Sequence, residues 1–262
     1  MKLFSKLLGR SDRTRKAGPM PPHQVDHPIY VIGDVHGRMD LLDSLSAKIV
    51  EDAISRPGMS EAKVIYLGDY VDRGDQSAQV LAHLYELSLS QPDRHICLKG
   101  NHEVLMLNFL EDPRKHGARW LRYGGMQTLA SFGIRGFHER MDVEDMPDIA
   151  AQLEDVLPDG MHDWLRDLPQ TYRTGNVVCV HAALNPERVW NDQSDRTRMW
   201  GHKDFFTKQR TDGQWVAHGH TIMEQPVVDQ GRMSLDTGAY ATGRLTAMGL
   251  QGGDGWLVQV GG

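Results

Sequence analysis

The sequence predicts an α/β fold that contains two β-sheets and a helical cap. In the first half of the chain, short apolar strands alternate with amphipathic helices, which is the pattern of a parallel sheet. In the second half, short strands follow one another with glycines and acids between them, which is the pattern of hairpins. The helix-rich stretch between these halves, at about residues 104–174, is predicted to be an inserted cap over the sheet edge, with simple helical padding of a sheet as the alternative.

The composition is typical of a soluble globular protein. The chain has 262 residues, of which 40% are apolar, enough for one large domain or two small ones. Its apolar runs fall short of the roughly 20 residues that a membrane span needs. The net charge of −6 argues against a nucleic-acid partner. Cys97 and Cys179 lie in apolar runs and offer no disulfide framework, so we expect a cytoplasmic protein.

Residues 1–28 are predicted to form a basic, disordered tail. Six basic and two acidic side chains give this stretch a charge of +4, and it ends in the proline-rich segment GPMPPHQVDHP. A short helix with an apolar face of leucines and Phe4 is the alternative, and it would attach weakly to an anionic membrane surface. The folded domain is predicted to span residues 29–262.

The first strand is predicted within IYVIGDVHG, residues 29–37. Strand-favouring residues run into a glycine, and Asp34 and His36 follow it. From Met39 the apolar residues recur at helical spacing, so Asp34 and His36 lie in a tight strand-to-helix loop. Ligands usually bind beyond the carboxyl ends of strands in open α/β sheets. One Asp-x-His sequence is a weak signal, but this chain repeats the arrangement.

Two further strands are predicted to end in the same way. The apolar stretch 63–67 leads into GDYVDRG, in which Asp69 takes the place that Asp34 has after the first strand. After a helix from Ser77 to about Leu89, the stretch 94–98 leads into GNHE, which contains Asn101. Three strands that end in glycine and an acid or amide, with helices between them, predict a right-handed parallel sheet with one ligand-rich edge.

The second half is predicted to form a second, largely antiparallel sheet. Two of its strands end in histidines, His181 and His220. The predicted strands are 176–180, 214–217, 226–229, 232–235, 245–250 and 255–260.

Polar side chains at the predicted strand ends form a candidate metal site, and they are Asp34, His36, Asp69, Asn101, His181 and His220. Oxygen and imidazole donors without sulfur suit manganese, our first choice, or iron or zinc. Six ligands are too many for one catalytic ion with an open position, so we expect two divalent ions that share Asp69. Such a pair, about 3.5–4 Å apart, can hold a hydroxide and bind phosphoryl oxygens. The sequence therefore predicts phosphoester hydrolysis.

The blocks GDVHG, GDYVDRG, GNHE and GHT, together with His181, resemble in order and spacing the signature of the phosphoprotein phosphatase family. These are two-metal serine/threonine phosphatases of the calcineurin-like metallophosphoesterase superfamily. The closing segment, residues 235–250, is similar to that of the bacterial and phage branch. The resemblance implies an α+β sandwich of two mixed β-sheets packed face to face and flanked by helices. It also implies dephosphorylation of phosphoserine and phosphothreonine in proteins.

The resemblance assigns a role to each site residue. One ion would be held by Asp34, His36 and Asp69. The other ion would be held by Asp69, Asn101, His181 and His220. His102 would protonate the leaving alkoxide, and Asp72 would orient its imidazole. The substrate phosphate would be bound by Arg73, Asn101 and Tyr240.

Several alternatives stay open in the sequence. His202 stands where many relatives have a second phosphate-binding arginine, and Arg198 is a possible replacement. Asp72 and Arg73 could instead form a simple loop salt bridge, and we expect His218 to be structural. A diadenosine polyphosphate hydrolase shares the same blocks, although the forms GNHE and GDYVDRG favour a protein phosphatase. A catalytically silent phospho-binding module would lack a metal ligand or His102, and none is missing.

Overall fold

The computed structural model describes residues 19–138 and 140–262. Within these ranges, ten strands form two five-stranded sheets. In chain order, strands β1–β10 are Ile29–Ile32, Lys63–Tyr66, His95–Cys97, Thr171–Thr174, Val177–Val180, Trp215–His218, Val227–Asp229, Arg232–Ser234, Leu245–Gln251 and Asp254–Val260.

Most helices lie between β1 and β4 in the chain. In chain order, helices α1–α9 are Met39–Ser55, Ser77–Ser90, Asn101–Glu111, Pro113–Trp120, Met126–Ser131, Met146–Val156, Met161–Asp167, Asp195–Trp200 and Ala239–Thr242. A π-helical turn, Leu121–Gly125, joins α4 to α5, and a 3-10 turn, Val143–Asp145, precedes α6. The start of α4 is fixed locally, because Pro113 occupies the first turn and the Asp112 side chain caps the Lys115 N–H.

The first sheet has the strand order β10-β9-β1-β2-β3. Strands β1, β2 and β3 are parallel, as predicted, while β9 and β10 are antiparallel additions beside β1. The second sheet has the order β4-β5-β6-β8-β7, in which β5, β6 and β8 are parallel. Both sheets are therefore mixed.

The prediction of a largely antiparallel second sheet that contains all the late strands is wrong in two respects. The β9–β10 hairpin joins the first sheet, and three strands of the second sheet are parallel. Residues 245–250 of β9 are all buried, so both faces of this strand must pack against other parts of the protein. Its position beside β1 in the first sheet allows this packing. In addition, β4 lies within the predicted cap, so the helical insertion ends at Asp167.

The two sheets pack face to face. Ile29 and Val31 point into a buried cluster that includes Met233 and Leu235 of the other sheet, while Tyr30 and Ile32 point towards the helices. Because successive side chains of a strand face opposite sides, β1 can be buried on both faces. The predicted fold class is confirmed.

The predicted tail extends too far into the fold. Val25 is buried, and the Trp215 indole N–H donates to the Pro21 carbonyl at 2.8 Å. The Gln24 N–H donates to the Asn176 side chain at 2.7 Å. Residues 21–28 are thus packed on the second sheet and on the turn between β9 and β10, where the Val25 N–H donates to the Gly252 carbonyl at 3.0 Å. The rest of the predicted tail lies outside the described residues. Of the helices that are described, none is long and apolar enough to cross a membrane.

Candidate active site

Loops that follow β1, β2, β5 and β6 and the start of α3 after β3 carry the six predicted metal donors. The structure brings these residues to one place, where five of them are buried and His220 is partly buried. The parallel strands of both sheets direct their carboxyl ends to this edge, which is the usual position of a ligand site in α/β sheets.

Asp69 lies at the centre of the site. Donor atoms of Asp69, His36 and His102 lie within 4.8 Å of one another, as do those of Asp69, His181 and His220. The Asp69 Oδ2 atom is 3.6 Å from His36 Nε2, and its Oδ1 atom is 3.4 Å from His181 Nε2. The two oxygens of one carboxylate therefore face two separate groups of donors.

Backbone carbonyls orient two of the imidazoles. His36 Nδ1 donates to the Val71 carbonyl at 2.8 Å, and His181 Nδ1 donates to the Leu67 carbonyl at 3.0 Å. Each Nε2 atom is consequently left with a lone pair that faces Asp69. Burial lowers the pKa of His36 to about 3 and also lowers the pKa of His181, so both rings are neutral.

Three polar side chains, those of Asn101, His181 and His220, converge in the site. The Asn101 Oδ1 atom lies 2.8 Å from His181 Nε2 and 2.7 Å from His220 Nδ1. Because the His181 proton is used by the Leu67 carbonyl, Nε2 has no hydrogen to donate to this oxygen. A cation among these atoms would stabilise the arrangement, and mixed oxygen and nitrogen donors suit a catalytic divalent ion.

The environment of Asp34 provides independent support for a metal site. The Asp34 Oδ2 atom accepts a hydrogen bond from the His220 N–H at 3.0 Å, whereas the buried Oδ1 atom has no hydrogen-bond partner. Burial and the neighbouring Asp236 and Asp69 carboxylates raise the pKa of Asp34 well above its usual value. A buried carboxylate oxygen without a partner is costly, and a divalent cation would satisfy it. The residues present therefore fit a metal site.

His102 and Asp72 form a buried pair, with Nδ1 and Oδ2 2.6 Å apart. Two residues of the helical insertion hold the carboxylate. The Trp120 indole N–H donates to both Asp72 oxygens at 3.1 Å, and the Thr128 hydroxyl donates to Oδ1 at 2.7 Å. Burial lowers the pKa of His102, but the carboxylates of Asp69 and Asp72 outweigh this effect and raise the pKa overall. His102 is therefore well placed to hold a proton.

The Arg73 guanidinium lies next to His102 and Tyr240. Its Nη1 atom donates to the Tyr240 hydroxyl, its Cζ atom lies 4.7 Å from the centre of the Tyr240 ring, and its Nη2 atom is 3.5 Å from His102 Nε2. Asp72 pairs with His102 and not with Arg73, so the simple loop salt bridge is absent from the described contacts. The guanidinium is left available for an anion beside His102.

Backbone strain is concentrated at this site. The non-glycine residues with positive φ in the described ranges are His36, Asp69, Asp72, Arg73, His220 and Gln230. All but Gln230 are residues that the sequence predicts to be functional. Because a left-handed backbone is unfavourable for L-residues, the surrounding structure must hold these side chains in place. This concentration of strain is typical of functional sites.

Three residues that support the site were missed by the sequence analysis. The Glu103 carboxylate accepts backbone N–H groups of Asp69, Tyr70 and Gly100 at 2.8–2.9 Å and so fixes the loop after β2. Its position directly after Asn101 and His102 in GNHE was an available signal. Trp120 and Thr128 had no such signal, because each is about 50 residues from Asp72 in the chain.

The two candidates for a second phosphate-binding residue have hydrogen-bond partners of their own, although His202 lines a cavity together with His220. The Arg198 guanidinium donates to Gln170 at 3.2 Å and to Asp195 at 3.1 Å. The His202 Nδ1 atom accepts the Asp204 N–H at 3.2 Å. His218 is buried, and its Nε2 atom bonds with the Ser234 hydroxyl at 2.8 Å. The side-chain hydrogen bonds of these three residues within the described ranges do not include the six metal donors.

The fold and the donor set define a metal-dependent hydrolase. Residues 27–223 match the family model of calcineurin-like phosphoesterases, so the chain belongs to this family. Members of the family use divalent metal ions, and the clustered histidines and acids are candidate ligands for them.

Two Caenorhabditis elegans proteins match shorter stretches of the chain. A "Putative serine/threonine-protein phosphatase" is 40% identical over 85 residues, which cover 32% of this chain and 21% of that protein. An "Uncharacterized protein" is 38% identical over 90 residues, which cover 33% of this chain and 35% of that protein. The matched stretches thus span about a third or less of these curated relatives.

Solved structures support the fold alone. A "putative diadenosine tetraphosphatase" superposes with a TM-score of 0.58 at 19% identity, over 89% of this chain and 93% of that one. The cold-active protein-tyrosine phosphatase of a psychrophilic Shewanella superposes with a TM-score of 0.55 at 15% identity, over 91% of this chain and 82% of that one.

Proposed function

We propose that this chain is a phosphomonoesterase that dephosphorylates phosphoserine and phosphothreonine in cytoplasmic proteins. The observation that carries the proposal is the Asp69 carboxylate, which lies between His36 and His181 and beside the buried His102–Asp72 pair. The match to a relative named as a serine/threonine phosphatase supports the choice of substrate. Residues 29–262, with the segment 21–28 packed against them, would form the catalytic domain.

Two divalent ions are proposed as the cofactors, with manganese first and iron or zinc as alternatives. The proposed ligands of one ion are Asp34, His36 and Asp69. The proposed ligands of the other are Asp69, Asn101, His181 and His220. When bound, the ions would supply an activated water and charge stabilisation for the phosphoryl group.

The chain's own residues would bind the substrate and move the proton. Arg73 would donate to the phosphate oxygens, with the Tyr240 hydroxyl fixing the orientation of its guanidinium, and Asn101 would border the phosphate. His102 would donate its Nε2 proton to the oxygen of the leaving serine or threonine. Because a serine alkoxide is a poor leaving group, such a donor contributes about 10²–10⁴-fold to the rate. Asp72, held by Trp120 and Thr128, would stabilise the protonated imidazole.

A comparison of substrates tests the proposal. The purified chain should release phosphate from a phosphoserine peptide with added Mn²⁺, and a chelator should abolish the release. Faster cleavage of diadenosine tetraphosphate would favour the alternative activity, and faster hydrolysis of a phosphotyrosine peptide would correct the substrate residue. Metal content of the untreated protein, measured at the same time, identifies the ion. Binding of phosphopeptide with no turnover of any substrate would indicate a silent module.

A further inference from the structure

An open groove of about 700 Å³ lies beside the proposed catalytic site, between α3, α4 and α8. Its polar and aromatic lining includes Lys99, Asn108, His116, Arg119, Arg196 and Trp200. The volume is typical of ligand sites in proteins. The chain as a whole has a net charge of −6, so the cluster of basic side chains in this groove differs from the rest of the protein. We call it the basic groove.

The two arginines of the basic groove are exposed and available. Within the described ranges, no carboxylate lies at ion-pairing distance from Arg119 or Arg196. The acidic residue of the lining, Asp195, already pairs with Arg198 at 3.1 Å. The charge that the groove presents is therefore positive, and it suits an anionic ligand.

The basic groove adjoins the proposed metal site at Trp200. Trp200 lines the groove, and the centre of its ring is 6.5 Å from the centre of the His220 ring. Lys99, at the other end of the lining, is two residues before Asn101. The groove therefore lies next to the place where the substrate phosphate would bind.

Arg119 covers part of the Trp200 ring of the basic groove, which favours a peptide over a stacked nucleotide base. The Arg119 guanidinium lies over the Trp200 ring at 5.1 Å and near the Tyr123 ring at 5.7 Å. One face of each ring is thus occupied, while the charge of Arg119 stays exposed. From His220 past Trp200 to Arg119 the path is about three residues of extended chain.

From these contacts we infer that the basic groove binds acidic side chains of a phosphoprotein, about three residues from the phosphorylated serine or threonine. This inference rests on the proposed function and names the substrate class more closely. Arg119 and Arg196 would be the specificity-determining residues, because they supply the unpaired charge. An exposed ion pair changes an equilibrium by about 2–5-fold, so the two arginines together would give about a 4- to 25-fold preference.

Three phosphoserine peptides test the inference. One has glutamines on both sides of the phosphoserine, one has glutamates three residues before it, and one has glutamates three residues after it. We expect kcat/KM for one acidic peptide to exceed that for the neutral peptide by about 4- to 25-fold at low salt. The preference should shrink as salt is added, because exposed charges are screened.

The preference for the acidic over the neutral peptide should fall by about 2–5-fold in each of the variants Arg119→Gln and Arg196→Gln. Arg135→Gln is the matched control, since Arg135 is exposed and has no place in the lining of the groove. This control should keep the preference of the wild type. The inference would be overturned by equal kcat/KM values for all three peptides. It would also be overturned if both groove variants kept the full preference of the wild type for the acidic peptide.

Fluorescence anisotropy with unphosphorylated versions of the peptides keeps the two proposals separate. If no phosphopeptide is hydrolysed but the acidic peptide still binds more tightly, the proposed activity fails and the groove assignment stands. If the acidic and neutral peptides bind equally, the groove assignment fails whatever the activity. Binding of diadenosine tetraphosphate that Arg119→Gln weakens, without any acidic-peptide preference, would assign the groove to a nucleotide instead.

Discussion

The strand-end loops and the helical insertion both build the site, but they do so in different ways. The loops provide the six candidate metal donors, each within a few residues of the end of a buried strand. The insertion provides Trp120 and Thr128, which contact Asp72 from about 50 residues away in the chain. One region supplies the candidate metal donors, whereas the other supplies the hydrogen bonds that orient Asp72.

A short sequence motif can therefore indicate candidate metal ligands, but it does not indicate the distant residues that hold the neighbouring side chains in place. Strand ends place side chains through local backbone geometry, here with positive φ at His36, Asp69 and His220. The support of Asp72 depends instead on the docking of a helical segment. At Gly124 the φ of 117° lets the backbone approach Arg73, whose N–H donates to the Gly124 carbonyl at 3.3 Å.

The largest effect is expected at the centre of the loop region. Asp69→Asn should lower phosphomonoesterase turnover by more than about 10⁴-fold, because the carboxylate that both ions would share is weakened. Metal analysis of the purified variant should show loss of both ions together. Asp43→Asn, an exposed change on α1, is the control and should retain both metal and activity. Two tightly held ions in Asp69→Asn would contradict the central role of this residue.

His102→Asn separates proton donation from general support. Turnover of an alkyl phosphate should fall by about 10²–10⁴-fold, since the leaving alkoxide needs a proton. The loss should be much smaller for p-nitrophenyl phosphate, whose leaving group is stable as an anion. Steady-state rates on both substrates provide the measurement. Equal losses on the two substrates would assign His102 to another role.

Thr128→Val tests the contribution of the insertion. It removes the hydroxyl that donates to the Asp72 carboxylate at 2.7 Å and accepts the Asp72 N–H at 2.9 Å. We expect turnover of an alkyl phosphate to fall by about 10-fold, as is typical when an outer hydrogen-bond partner is lost. The loss should again be smaller for p-nitrophenyl phosphate, which a purely structural defect would not produce. Thr211→Val makes the same chemical change at an exposed position. A loss as large as that of Asp69→Asn would abolish the distinction between the two regions.

Asp52 lies on α1 and contacts Tyr30, Arg56 and Trp256, so it should affect stability and not turnover. It accepts the Tyr30 hydroxyl and the Trp256 indole N–H, both at 2.7 Å, and pairs with Arg56. Burial raises its pKa, but these three partners lower the pKa overall. Its contribution is therefore present above the unfolded-state pKa of about 3.9 and is lost as pH falls through the lower folded-state pKa.

Asp52→Asn should consequently reduce the free energy of unfolding by about 1 kcal/mol at pH 7. The difference between wild type and variant should narrow below about pH 4, and urea unfolding at pH 7 and pH 3.5 measures it. Turnover of p-nitrophenyl phosphate at pH 7 should not change. A difference in stability that stays constant with pH would show that the charge of Asp52 is not involved.

Much of this protein is determined by the sequence alone. The parallel strands β1, β2 and β3, the helices between them and the candidate donors Asp34, His36 and Asp69 follow from local patterns. Strand propensity, helical spacing and glycine placement act over fewer than twenty residues, so they can be interpreted without knowledge of the fold. For the same reason Asn101, His181 and His220 were predicted correctly as strand-end residues.

Tertiary structure decided the remainder. It placed the β9–β10 hairpin beside β1, packed residues 21–28 on the second sheet and paired Asp72 with Trp120 and Thr128. It also formed the basic groove from three separate helices. These features join segments far apart in the chain, and their free energy depends on complementary packing and paired polar groups that no short stretch of sequence contains.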